Sequence, residues 1–352
     1  MRPDKPISDF KLKVYRYHRV VHGVRIALAF VLTLMLVRLL NIPEGSWPLI
    51  TVVVVMGPVS RWGNVFPRAL QRIIGTIIGL ISGLIALYLE LFSLPVMLAW
   101  CAIVMFTCGF LTLGKHPYMA LLIGITLAVV SGAAPGDIGR ALWRGGDVII
   151  GSVLALIYTS IWPARAHIQW RIGLSDILLE TAKIYHAGFS PYLVERPYLK
   201  NPLQHLMASV VKMRSMLVPA SKESRIPKSV FEGIQTLNRN MVCTLELQLN
   251  AWWSSRETHL MLLSAPTLRA TQQQIESSLR TLSRSLLEGD TDKTVLTSEA
   301  LAASSRELRE LLSEQQINNH QQVAAYGYAW LSIEMAGQLE RINDLVRLAM
   351  RK

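Results

Sequence analysis

Two hydrophobic rhythms divide the chain near Trp162-Pro163. Before that point, apolar stretches run almost without charge; after it, apolar residues recur every three or four positions among polar ones. The uncharged stretches cover about 24–40, 47–60, 70–91, 95–113, 118–134 and 142–162. The third and sixth reach the ~20 residues that a bilayer-spanning helix needs. The first lacks a small-residue cleavage site behind it, so it reads as a retained helix rather than a secretory signal. The second and fifth are short and interrupted, one by Trp47-Pro48 and Gly57-Pro58, the other by His116-Pro117 and the run from Gly132 to Gly136. Short segments broken by Gly and Pro at matching places in two halves point to a transporter's binding site.

An internal echo supports that matching. Arg68-Ala69-Leu70-Gln71-Arg72-Ile73-Ile74-Gly75-Thr76-Ile77-Ile78-Gly79 and Arg140-Ala141-Leu142-Trp143-Arg144-Gly145-Gly146-Asp147-Val148-Ile149-Ile150-Gly151 agree at seven of twelve positions without a gap. Each copy follows a helix opened by an aromatic-proline or histidine-proline pair, so three helices make one unit. Three is odd, and the second unit therefore inserts upside down. The expected fold is an all-α membrane protein with six transmembrane helices as an inverted 3+3 repeat, followed by a cytoplasmic helical bundle. Gly75, Gly79 and Gly83, four residues apart, form a smooth stripe that predicts close packing on a neighbouring helix.

Charge fixes the orientation. Only 17% of residues are charged and 51% are hydrophobic, whereas a soluble protein carries about a quarter charged. Residues 1–163 hold 14 of the 36 Lys and Arg and 6 of the 24 Asp and Glu. With the N-terminus in the cytoplasm and six crossings, eleven of those cations fall at the inner side. Only Arg38, Arg140 and Arg144 fall outside, as the positive-inside rule favours. Both termini are then cytoplasmic. The net charge of +12 does not point to nucleic acid, because no basic stripe with an aromatic platform accompanies it.

Residues 1–23 read as a cytoplasmic basic amphipathic helix at the membrane surface, with His18 and His22 facing headgroups rather than a metal. Residues 24–163 form the membrane domain and 164–352 a cytoplasmic helical domain. The latter shows helical patterns at about 165–188, 203–218, 227–257, 266–288, 295–315 and 320–350. Their apolar faces need partners, so a bundle is expected, shared between subunits or closed within one. Trp252-Trp253 reads as core or membrane-surface packing, with a ligand platform as the alternative. Cys101, Cys108 and Cys243 show neither a metal nor a disulfide pattern. No nucleophile–base pair, phosphate loop or metal cluster is apparent, so no catalytic residue, cofactor or enzyme activity is expected.

The two glycine-arginine copies, with Trp162-Pro163-Ala164-Arg165 closing the sixth helix, resemble the fusaric-acid-resistance family, whose relatives include bacterial aromatic-acid exporters and plant aluminium-activated malate channels. The resemblance implies six spans per unit, a bacterial inner-membrane location and passage of organic anions, plausibly outward for aromatic carboxylates. The larger exporters carry two membrane units per chain and this chain one, which implies a homodimer. Candidate anion contacts are then Arg72, Arg144, Arg68, Arg140, Trp47 and His116, with Asp147 gating or carrying a proton. The four arginines equally suit plain headgroup anchors, and Asp147 a structural partner of Arg144, its neighbour one turn back. A scaffold that transports nothing, and recruits partners through its cytoplasmic helices, is the competing function.

Overall fold

The structure is a computed structural model that describes residues 6–43, 45–57, 62–114, 116–132, 138–161, 165–263, 266–290 and 319–350. The described residues are helical, joined by turns and short loops, and the chain separates into two compact units: Arg16–Arg165, and Met1–Tyr15 with Ala166–Lys352.

The first unit holds α2 (His18–Leu39), α3 (Ser46–Met56), α4 (Trp62–Glu90), α5 (Leu94–Thr112), α6 (Pro117–Ser131) and α7 (Ile138–Ile161). Among the described residues, four helical stretches are long and apolar enough to cross a membrane: His18–Leu39, Val65–Glu90, Leu94–Thr112 and Leu142–Ile161. α3 and α6 are apolar but shorter, 11 and 15 residues. Large apolar side chains point outward, among them Leu28, Val31 and Met35 on α2 and Phe106 and Phe110 on α5. In water such a surface would be costly; in lipid it is the favourable face. Several hydroxyls inside the unit bond back along their own helices: Thr33, Ser152 and Thr159 each donate to the carbonyl four residues earlier, Thr159 Oγ1 to Ala155 at 2.7 Å.

Glycine decides which helices touch. A Cβ on Gly75 would lie 2.9 Å from Leu122 Cβ and 3.0 Å from the Met119 carbonyl oxygen. On Gly79 it would meet Thr126 Cβ at 2.6 Å and Ile123 O at 2.8 Å, and on Gly83 Val130 Cβ at 2.6 Å. Contacts that climb both helices together mean that α4 and α6 run parallel, backbone against backbone. A second close pair joins α7 to α3: a Cβ on Gly151 would lie 2.8 Å from Pro48 O and 2.7 Å from Thr51 Cβ, and Ala155 packs into the cluster of Val52 and Val55. By repeat position, Asp147, Gly151 and Ala155 stand where the first copy has Gly75, Gly79 and Gly83. Each copy's glycine helix thus packs on the short helix of the other copy.

The second unit contains α1 (Asp9–Arg16), α8 (Ala166–Gly188), α9 (Lys200–Ser224), α10 (Lys228–Trp252), α11 (Arg256–Leu263), α12 (Pro266–Glu288) and α13 (Asn319–Met350). Its core centres on Trp170, Phe231, Tyr185, Phe189, Trp252 and Tyr328. Ser175 and Ser283 exchange hydrogen bonds with each other's carbonyls at 2.8 and 2.9 Å, which sets α8 close against α12.

Several boundaries differ from the sequence reading. The basic N-terminal segment is not one helix to residue 22: it breaks at Tyr17, and His18 and His22 belong to α2. His22 turns inward and donates to the Gly57 carbonyl at 3.0 Å. Ile7 N donates to the Leu287 carbonyl at 2.9 Å, which ties this segment to the end of α12. Pro219 lies inside α9, which stops only where Arg225 adopts φ 60° and Ser221 Oγ donates to the Ile226 carbonyl. The stretch 227–257 splits at Trp252 because Trp253 Nε1 is drawn to the Gly188 carbonyl at 3.0 Å. The helix expected at 295–315 lies outside the described residues.

Candidate functional site

The parallel pairing of α4 with α6 and of α7 with α3 brings both repeat copies to one place. Arg72 and Thr76 of α4, Thr126 and Val129 of α6, Arg144 and Val148 of α7 and Trp47 at the start of α3 line a single small cavity of ≈ 20 Å³. That volume takes about one water molecule. Small-molecule sites occupy about 300–1,000 Å³, so anything larger than water enters only if these helices separate.

The two arginines approach from opposite ends of α6. Near its start, the Arg68 guanidinium sits over the Tyr118 ring at 5.0 Å, and Tyr118 also neighbours Arg72. Gln71 Nε2 lies 3.4 Å from His116 Nδ1. Near its end, Arg144 Nη1 donates to the Val129 carbonyl at 3.0 Å, and the same guanidinium stacks over Trp47 at 5.5 Å. Tyr118 and Val129 are separated by about 17 Å of helix at 1.5 Å per residue. Arg72 is 6% exposed, far too enclosed for a headgroup anchor.

The sequence-predicted residues therefore divide. Trp47, Arg72 and Arg144 meet at the cavity. Arg68 and His116 flank its α4 side, through Tyr118 and Gln71. Asp147 is completely buried on α7 but is not among the residues that line the cavity. Gly75, Gly79 and Gly83 pack on α6. The Arg140 side chain lies outside the described residues. Tyr118, Thr76 and the Val129 carbonyl were not singled out from sequence. Tyr118 follows His116-Pro117 directly and Thr76 follows Gly75, so adjacency to the repeat motifs was the available signal.

Apolar faces turned outward, with Arg72 buried and Arg68 and Arg144 half-buried between the helices, define a multi-pass helical membrane protein. Residues 28–158 match the family described as fusaric acid resistance protein-like. The whole chain is 53% identical, over 357 aligned positions covering all of both sequences, to "Inner membrane protein YeeA" of Escherichia coli (strain K12). The chain belongs to the fusaric acid resistance protein-like family.

Proposed function

We propose that this protein is an inner-membrane transporter or channel for organic anions, aromatic carboxylates in the outward direction foremost, with its site between two inverted three-helix units. One observation carries the reading: Arg72 and Arg144, five residues into the two repeat copies, line the same buried cavity. Six crossings make α4 and α6 run in one direction and α3 and α7 in the other, which agrees with the two parallel pairs. The cation distribution then puts both termini in the cytoplasm. An arginine at each end of α6 gives a carboxylate a partner on either side, and separation of the reciprocal pairs α4–α6 and α3–α7 opens one side at a time. The enclosed state, ≈ 20 Å³, is the occluded one. No bond is made or broken in this scheme, and no cofactor or metal takes part.

The test is flux of a panel of benzoates and dicarboxylates into proteoliposomes, with and without a proton gradient. Saturable uptake of at least one class above empty vesicles is expected. Purified, folded protein that moves none of them would favour the scaffold, whose cytoplasmic helices recruit partners.

A further inference from the structure

A cavity larger than the one between Arg72 and Arg144 lies in the helical unit. A groove of ≈ 600 Å³ forms where the loop before α9 and the first turns of α9 meet α10, a volume in the range of small-molecule sites. Leu203 and Met207 of α9, Val242 and Leu249 of α10, and Trp253 make its apolar floor. Val242 and Leu249 also belong to the unit's core, so the floor is anchored from below. Trp253 is fixed twice: its Nε1 donates to the Gly188 carbonyl at 3.0 Å, and its ring stacks on His259 at 4.1 Å. With its only donor occupied, the indole offers the groove an apolar surface.

The rim carries Arg196, Lys200 and Glu246. Arg196 Nη2 donates to Asn250 Oδ1 at 2.6 Å, which orients the guanidinium and leaves further N–H donors. α9 starts at Lys200 with no side-chain cap on its first turn, so the positive end of a 25-residue helix adds to the two cations. Against them stands one carboxylate. We propose that this groove binds a small aromatic carboxylate, its ring on the Leu203–Met207–Trp253 floor and its carboxylate at Arg196 and Lys200. The site is separate from the Arg72–Arg144 cavity and does not require that cavity to conduct.

Calorimetric titration of 2-naphthoate into the full chain in lipid nanodiscs, with empty nanodiscs subtracted, tests this. Because the membrane cavity also takes a carboxylate in this scheme, the Arg72→Gln/Arg144→Gln protein is the background: saturable binding is expected there, and adding Arg196→Glu/Lys200→Glu should weaken it roughly tenfold or more. Gln204→Trp, at an exposed rim position, should block the groove without touching the core and give the same loss. Absent saturable binding, binding unchanged in both groove variants, or binding lost in the Arg72→Gln/Arg144→Gln protein would overturn the proposal. So would tighter binding of 2-naphthylmethylamine than of 2-naphthoate, because the rim would then select cations.

Discussion

Arg72 and Asp147 are charged side chains enclosed among apolar helices, 6% and 0% exposed. Ionisable groups within spans are costly and face the protein interior or a water-filled path. Arg72 lines the cavity; Asp147 does not, which favours a structural role over gating. Asp147→Asn should therefore lower the yield of inserted, folded protein, since altering a fully buried polar group costs on the order of 1–3 kcal/mol. Flux per folded molecule should stay unchanged. Normal yield with an altered pH dependence of flux would instead make Asp147 the gate. In the helical unit, His259 donates through Nε2 to the Leu193 carbonyl at 3.1 Å, between the rings of Trp252 and Trp253. Burial lowers its pKa, with the Leu193 carbonyl pulling the other way. Because the folded pKa lies below the unfolded one, the unfolded chain takes up the proton first as pH falls. The stabilisation is complete above about pH 6.5 and is lost below it. The unfolding midpoint of the full chain should fall between pH 7.5 and 5.5, and less so in His259→Gln; equal falls would show that His259 contributes nothing.

Among the elements, α4 and α6 depend on absent side chains more than on present ones. Gly79→Leu would drive a Cβ to 2.8 Å from the Ile123 carbonyl oxygen, a backbone atom that cannot yield without moving the helix. The expected cost is about 1–3 kcal/mol or more, read as reduced monodisperse protein in detergent. Gly23→Leu, where a Cβ meets nothing within 4 Å, should be tolerated; equal behaviour of the two variants would contradict the packing. This stripe was legible because four-residue glycine spacing has one physical meaning in an apolar helix. The two arginine copies were legible as a repeat, but not their meeting at one cavity, which depends on each glycine helix choosing the other copy's short helix. Beyond its adjacency to His116-Pro117, nothing local marked Tyr118: its position under Arg68 follows from the parallel register of α4 and α6. The continuation of α9 past Pro219 to the left-handed Arg225 and the break at Trp252 were missed because a backbone conformation and a distant carbonyl set them, rather than local propensity; the break at Tyr17 was missed as well.

At the scale of the molecule, the chain supplies one unit rich in apolar membrane helices and one helical unit, and the exposed apolar residues Val323, Tyr326, Trp330 and Ile333 share one face of α13. A homodimer with both termini cytoplasmic is the expected assembly. Mass measurement in nanodiscs should give two chains, and a reporter fused after Pro163 should read as cytoplasmic; a monomer or a periplasmic reading would contradict the respective half of this expectation. In the proposed transport scheme Arg72 and Arg144 serve one path from two repeat copies. Its most direct test is flux of a transported carboxylate through Arg72→Gln, Arg144→Gln and the double variant, all shown to be folded. Each single change should reduce flux roughly 10- to 100-fold, the worth of a charge-assisted hydrogen bond, and the double should lose far less than the product of the two because the residues act on one anion. Folded single variants with wild-type flux, or a double variant whose loss is the simple product, would contradict it.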